Sequence, residues 1–166
     1  MNDRAAGPVD DDVTHLNDMV CFNLYAASRA VAAAYRPLLE PLDVTYPQYL
    51  VLATLWEYGD LSVGELSIRL QLEYGTMTPL LKRMEARGLV SRTRSVRDER
   101  TVIVSLAPAG EALRVHAPGI YASICEIFGF TSERAVDALA VLRSVTDHAN
   151  RAAGTGKKLG PTSASV

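Results

Sequence analysis

Residues 61–106 read LSVGELSIRLQLEYGTMTPLLKRMEARGLVSRTRSVRDERTVIVSL, and this stretch decides the fold. Ser62 and Glu65 stand three residues apart as a capping box, so a short helix is predicted over 61–72. A second helix is predicted over 75–87, because a proline stands in its first turn and a glycine follows its last residue. The sequence therefore predicts two helices joined by a short turn.

Two runs of β-branched residues follow these helices, at 89–93 and 101–106. The segment RSVRDER separates them, so they predict a two-stranded hairpin with a polar, basic tip. A helix-turn-helix followed at once by a hairpin is the layout of a winged-helix DNA reader. We place this winged helix at about 46–106.

Further helices are predicted on both sides of the winged helix. Upstream, apolar residues at steps of four and three predict a long helix from Val20, which Pro37 and Pro41 break. Thr45 then caps a second helix that stops at Gly59. Downstream, heptad-like spacing predicts one long helix after residue 108, and a last helix starts near residue 131.

The predicted fold class is mainly α with a small β-hairpin wing. It consists of a winged helix-turn-helix domain plus N- and C-terminal dimerisation helices, at about 14–40 and 108–151. Their apolar stripes exceed what one small core requires, which favours pairing with a second copy. We predict one domain over 14–153, a disordered acidic N-terminus over 1–13 and a flexible tail over 154–166.

Charge is distributed unevenly along the 166 residues. Seventeen Lys and Arg against nineteen Asp and Glu give a net charge of -2. Residues 82–100 hold seven bases and three acids, however, whereas the first eighteen residues hold five acids and one base. Such a run can simply be a solvent-exposed face that aids solubility. Its position on the second helix and the hairpin favours contact with a DNA duplex instead. The candidate DNA-binding residues are Gly75, Thr76, Thr78, Lys82, Arg83, Arg92, Arg94 and Arg100.

Within this set the side chains have different expected roles. Thr76 and Thr78 offer hydroxyls to base edges or phosphates, and either Arg83 or Lys82 is expected to reach a phosphate or a guanine. Arg100 suits the narrow minor groove, and Asp98 is expected to stabilise the wing loop by holding Arg100.

The two cysteines, Cys21 and Cys125, are too few for a structural disulfide framework and lie in no metal-binding pattern. We therefore predict no metal and no cofactor. Acidic residues at the start and the lack of a long apolar run predict a cytoplasmic protein without a membrane partner.

The residues over 61–106, with Asp98-Glu99-Arg100 in the wing, resemble the MarR family of dimeric winged-helix repressors. A second block, MVCFNLYAASRAVAAAYRPLLEPLDVTYPQYLVL, resembles the branch of that family that senses organic hydroperoxides. The resemblance implies a homodimer on a pseudo-palindromic operator of double-stranded DNA, with an organic hydroperoxide as inducer. It also implies site residues: Cys21 as redox sensor, Tyr35, Tyr46 and the further neighbour Tyr25 supporting it, and Cys125 as the cysteine that forms a disulfide with the other subunit's sensor.

The chemistry of such a sensor requires a thiolate, because the neutral thiol is a poor nucleophile. Tyrosine hydroxyls can stabilise the anion by donating hydrogen bonds, and a sulfenic acid formed at Cys21 can become a disulfide with Cys125. The alternative for each cysteine is a purely structural role as a small buried hydrophobic residue.

Two other functions compete with peroxide sensing. One is a repressor released by a small phenolic ligand bound between the dimer helices and the winged helix. The other is a thiol peroxidase that uses Cys21 and Cys125 in turnover, which we disfavour because an enzyme does not need a basic wing. We predict that the chain is not an enzyme.

Overall fold

A computed structural model describes residues 15–96, 98–129 and 131–154. The predicted unstructured ends lie outside these ranges apart from Gly154, as does Arg97 of the basic run. Short 3-10 turns occupy Leu16–Asp18, Glu40–Leu42 and Leu113–His116. In chain order the described helices and strands are α1 (Val20–Leu39), α2 (Tyr46–Tyr58), β1 (Leu61–Ser62), α3 (Val63–Arg69), α4 (Tyr74–Ala86), β2 (Val90–Arg94), β3 (Val102–Leu106), α5 (Pro108–Ala112), α6 (Ala117–Phe128) and α7 (Ser132–Ala152).

The capping box at the start of α3 is confirmed. The Glu65 backbone N–H donates to the Ser62 hydroxyl at 3.1 Å, and the Glu65 carboxylate accepts the Ser62 backbone N–H at 2.8 Å. These bonds to Ser62 also lower the pKa of the Glu65 carboxyl. The helix ends at Arg69, three residues before the predicted end, because Gln71 adopts a left-handed conformation with φ of 54°.

The wing is a three-stranded sheet of order β1-β3-β2, not the two-stranded hairpin predicted from the sequence. Strands β2 and β3 pair antiparallel from Val90 opposite Leu106 to Arg94 opposite Val102. Strand β1 adds Leu61 opposite Val104 on the other side of β3. The sequence did not reveal β1, because a two-residue strand is too short to show alternation.

One apolar core joins α2, α3, α4 and the sheet. Its fully buried side chains come from each of these elements, namely Leu52, Leu55, Leu66, Met77, Leu81, Met84, Val90 and Val104. Trp56 packs against this core and donates its indole N–H to the carbonyl of Gly110 at 3.2 Å. The core therefore fixes the helix-turn-helix and the wing as one unit, as the predicted fold class requires.

Two predicted features of the flanking helices are wrong, and both involve proline. Pro37 does not break α1, because the helix continues to Leu39, whose side chain is fully buried and stabilises the last turn. The long helix predicted after residue 108 is instead α5, a 3-10 turn and α6. Pro118 in the first turn of α6 explains this break, since its ring would clash with a carbonyl in an unbroken helix.

The terminal helices expose much apolar surface. None of the described side chains of α7 is buried, and its exposed residues include Val136, Leu139, Val141 and Leu142. Helix α6 exposes Tyr121 and Ile127 in the same way. Within the described ranges no helix is both long and apolar enough to cross a bilayer.

Candidate functional site

Helix α4 presents one buried and one exposed face. Met77, Leu80, Leu81 and Met84 fill the core, so the side chains of Thr76, Lys82 and Arg83 are exposed on the other side of the helix. Gly75 is exposed near the start of the helix, where an added β-carbon would meet no atom within 4 Å. Thr78 is half-buried and donates its hydroxyl to the carbonyl of Tyr74 at 3.1 Å. The exposed face is therefore basic and open.

The tip of the wing is held by Asp98. Its carboxylate accepts the backbone N–H of Arg100 at 3.0 Å and the hydroxyl of Thr101 at 2.8 Å. Two backbone hydrogen bonds close the turn. The Thr101 carbonyl accepts the N–H of Ser95, and the Thr101 N–H donates to the carbonyl of Asp98, both at 2.9 Å. The contact with Arg100 is thus to its backbone and not to its guanidinium, which leaves that group exposed.

Arg92 and Arg94 differ in their surroundings although both lie on β2. The Arg92 guanidinium donates to the carboxylate of Glu85 on α4, with its Nε at 2.9 Å. This contact with Arg92 lowers the pKa of Glu85 and ties the wing to α4. Arg94 is exposed.

Three tyrosines form a ring cluster where α1 meets α2. The Tyr35 and Tyr46 ring centroids are 4.4 Å apart, and those of Tyr35 and Tyr49 are 5.8 Å apart. Burial raises the pKa of Tyr46 and of Tyr49. Burial first, followed by the charges of Tyr46, Tyr49, Cys125 and Tyr121, raises the pKa of Tyr35 to about 12. All three phenols are therefore protonated at neutral pH and can donate hydrogen bonds.

Cys125 lies beside this cluster, on α6. Its charge is among the causes that raise the pKa of Tyr35. Interaction with Cys125, one turn later on the same helix, raises the pKa of Tyr121. The phenol cluster consists of Tyr35, Tyr46, Tyr49 and Tyr121, and Cys125 lies beside it.

Cys21 lies elsewhere in the protomer. It is the second residue of α1 and is exposed. Fourteen residues of helix separate it from Tyr35, which is about 21 Å along the axis at 1.5 Å per residue. Tyr25, one turn after Cys21, is exposed, and its hydroxyl accepts a hydrogen bond from Arg29 at 3.3 Å. Within one protomer Tyr35 therefore lies beside Cys125 and far from Cys21.

Tyr49 and Tyr121 were not among the residues selected from the sequence. The spacing does contain a signal for each, since Tyr49 follows Tyr46 by three residues and Tyr121 precedes Cys125 by four. Residues at these spacings share one helix face. No group of three or more His, Cys, Asp or Glu side chains in the described part of the chain is placed to hold a metal ion.

Comparison with known proteins agrees with this geometry. The model of the MarR family matches residues 44–102. The organic hydroperoxide resistance transcriptional regulator of Bacillus subtilis (strain 168) is 47% identical over 113 residues, which cover 68% of this chain and 77% of that protein.

Two solved structures of the regulator AbfR, which is from Staphylococcus epidermidis, are also similar. Reduced AbfR bound to DNA matches with a TM-score of 0.66 at 31% identity, covering 80% of this chain and 93% of that one. Disulfide-formed AbfR matches with a TM-score of 0.56 at 31% identity, covering 82% and 92%.

A helix-turn-helix, a wing and these relatives together define a winged-helix transcriptional regulator, and not an enzyme. The chain belongs to the MarR family. The resemblance found in the sequence is thereby confirmed.

Proposed function

We propose that the chain is a homodimeric repressor that binds a pseudo-palindromic operator in the cytoplasm and leaves it when an organic hydroperoxide oxidises Cys21. The observation that carries the proposal is the phenol cluster with Cys125, at one end of a long helix whose other end bears Cys21. The 47% identity to an organic hydroperoxide resistance regulator supports the choice of inducer.

The separation of Cys21 from the cluster favours a site that two subunits complete. A two-fold axis that reverses one α1 against the other would bring Cys21 of the partner subunit to Tyr35 and Tyr46. The exposed apolar residues of α6 and α7 supply surface for such pairing. A disulfide needs Cα atoms within about 7 Å, so Cys21 and Cys125 of one chain are unsuited to each other, because Cys125 lies beside Tyr35.

The proposed chemistry has two steps. The Cys21 thiolate attacks one peroxide oxygen, the O–O bond breaks, and the departing alkoxide takes a proton to leave as an alcohol; Cys21 becomes a sulfenic acid. The thiol of Cys125 in the other subunit then attacks that sulfur. The S–S bond forms, the S–O bond breaks, and the hydroxyl leaves with a proton as water. Phenols that stay protonated are suited to hydrogen-bonding the anions in both steps.

DNA contact is assigned to α4 and the wing. The exposed face with Thr76, Lys82 and Arg83 suits the major groove, and Arg94 and Arg100 extend the basic surface along the wing. Arg92 acts by fixing the wing to α4 through Glu85. Movement of the dimer helices after oxidation would change the distance between the two winged-helix units of the dimer. Neither unit would then stay bound to its half-site in the operator.

A gel shift on the DNA upstream of the protein's own gene, with and without cumene hydroperoxide, tests the proposal. We expect release of the wild-type protein and retention of the Cys21→Ser variant. Non-reducing electrophoresis should show a linked dimer that is absent in Cys125→Ser. Unchanged peroxide release by Cys21→Ser would contradict the proposal, and release of both proteins by a phenolic compound alone would favour the ligand-regulated alternative.

A further inference from the structure

We propose that a hydrogen bond between Asn150 on α7 and Gln71, in the turn between α3 and α4, couples the dimer helices to the DNA-binding surface. Helix α4 is held in its DNA-binding orientation only while α7 is docked on this turn, residues 70–73. The inference rests on the proposed function and adds to it the contact through which oxidation reaches α4. Both residues position α4, and neither contacts DNA.

The Gln71 side chain joins the turn to two helices. Its Nε2 donates to the carbonyl of Ile68 on α3 at 2.9 Å, and its Oε1 accepts a hydrogen bond from Nδ2 of Asn150 at 2.8 Å. Both Gln71 and Asn150 are half-buried, and they stand 79 residues apart in the chain. One amide group therefore ties the end of α3 to the last turns of α7.

The backbone at Gln71 determines how the chain leaves α3. Gln71 has a left-handed φ of 54°, which costs free energy for a residue with a β-carbon. Its N–H donates to the Ile68 carbonyl at 3.3 Å, so backbone and side chain bind the same oxygen. Helix α4 begins three residues later, at Tyr74. Because this short turn sets the angle between α3 and α4, a change in how Gln71 is held tilts α4.

The docking of α7 on the turn is weak enough to be reversed. Thr146, Asp147 and Asn150 lie on one face of α7 and are half-buried, whereas His148 and Arg151 are exposed. One carboxylate oxygen of Asp147 is buried without a hydrogen-bond partner among the described residues. Such burial is unfavourable and opposes the gain from the bond to Gln71. The docked and the released positions of α7 are therefore close in free energy.

Helix α7 also connects this contact to Cys125. Cys125 lies three residues before the end of α6, and residues 129–131 link α6 to α7. The 21 residues of α7 span about 31 Å at 1.5 Å per residue, so a rotation of about 5° at the link moves the far end by about 3 Å. A hydrogen bond is lost once its two heavy atoms separate beyond about 3.5 Å. A disulfide at Cys125 that turns α6 by a few degrees is sufficient to release Gln71.

The test measures operator affinity of the full-length protein in two redox states. Fluorescence anisotropy on the DNA upstream of the protein's own gene, at low salt, compares wild type and Asn150→Ala, each reduced with dithiothreitol or oxidised with cumene hydroperoxide. We expect the reduced variant to bind roughly 2- to 12-fold more weakly for each subunit, the range for one hydrogen bond. The affinity of the oxidised variant should equal that of the oxidised wild type, because the contact is already broken there.

Two further variants separate coupling from a general structural effect. Gln71→Ala and the double variant complete a double-mutant cycle, in which the double variant should bind no more weakly than Gln71→Ala alone. His148→Ala is the matched control, since His148 is exposed on α7 and its ring contacts only the Ser144 carbonyl of the same helix among the hydrogen bonds described. The control should bind as the wild type does in both redox states. Alanine favours helix, so Asn150→Ala should keep the wild-type melting temperature.

Three results would overturn the coupling. Equal reduced-state affinity of Asn150→Ala and wild type, additive losses in the cycle, or an equal loss in both redox states would each show that the contact does not transmit oxidation. If the wild type is released by peroxide in these cases, the coupling fails and the proposed function stands. A wild type that peroxide does not release overturns both.

Discussion

Gly110 offers a sharp test of how the wing is joined to α5, the helix that follows it. A β-carbon added at this third residue of α5 would lie 2.0 Å from the carbonyl oxygen of Leu89 and 3.1 Å from the Leu52 side chain. That carbonyl also accepts the N–H of Ala107 at 3.1 Å, so it cannot move without weakening the bond. Overpacking costs about 1–3 kcal/mol, and the better helix propensity of alanine returns up to about 1 kcal/mol. Because the clash is with backbone, we expect Gly110→Ala to lose about 2 kcal/mol.

For a chain of this size that loss lowers the melting temperature by about 4–8 °C, measured by circular dichroism. Gly64→Ala is the matched control, since Gly64 is exposed on α3 and the nearest atom to its added β-carbon is the Ser62 hydroxyl at 3.9 Å. The control should melt at or slightly above the wild-type temperature. Equal melting of Gly110→Ala and wild type would refute the packing of α5 against the chain before β2.

Two further predictions concern the wing and the phenol cluster. Asp98→Ala removes the acceptor of the Arg100 N–H, so operator affinity measured by fluorescence anisotropy should fall roughly 3- to 10-fold, while Glu99→Ala should not weaken binding. Because the pKa of Tyr35 is raised, the folded state holds the proton of this hydroxyl more tightly than the unfolded state does. The protonated Tyr35 therefore contributes fully to the free energy of unfolding below about pH 10, and this contribution is lost as the pH rises toward about 12. Tyr35→Phe should flatten the decline of the urea midpoint over that range, and an unchanged slope would count against the burial of its hydroxyl.

Local signals in the sequence predicted the helix-turn-helix and the hairpin of the wing. The capping box of Ser62 and Glu65 needs only neighbouring residues, and the run of β-branched residues around a polar tip needs only one turn. Strand β1 was missed because it exists only through pairing with β3, which lies about forty residues away. The continuation of α1 past Pro37 was not predictable from neighbouring residues, because its last residue, Leu39, is buried by tertiary packing.

The candidate redox site shows the same division. The identity of Cys21, Cys125, Tyr35 and Tyr46 was readable from the sequence and its resemblance to a family. Their grouping was not, because it depends on how α1 packs against α6 and on the length of α1. Tyr35 lies beside Cys125, whereas Cys21 lies about 21 Å away along the helix. The expected sensor site, with Cys21 next to Tyr35, therefore requires a second subunit.

Complementation between cysteine variants tests the central claim most directly. Cys21→Ser and Cys125→Ser are each treated with cumene hydroperoxide alone, and then as a mixture refolded together to form heterodimers. Non-reducing electrophoresis should show no linked dimer through the Cys21–Cys125 pair from either variant alone and a linked dimer from the mixture, because one subunit supplies Cys21 and the other Cys125. A mixture without linked dimer, or a wild type whose disulfide lies within one chain, would contradict the two-subunit site.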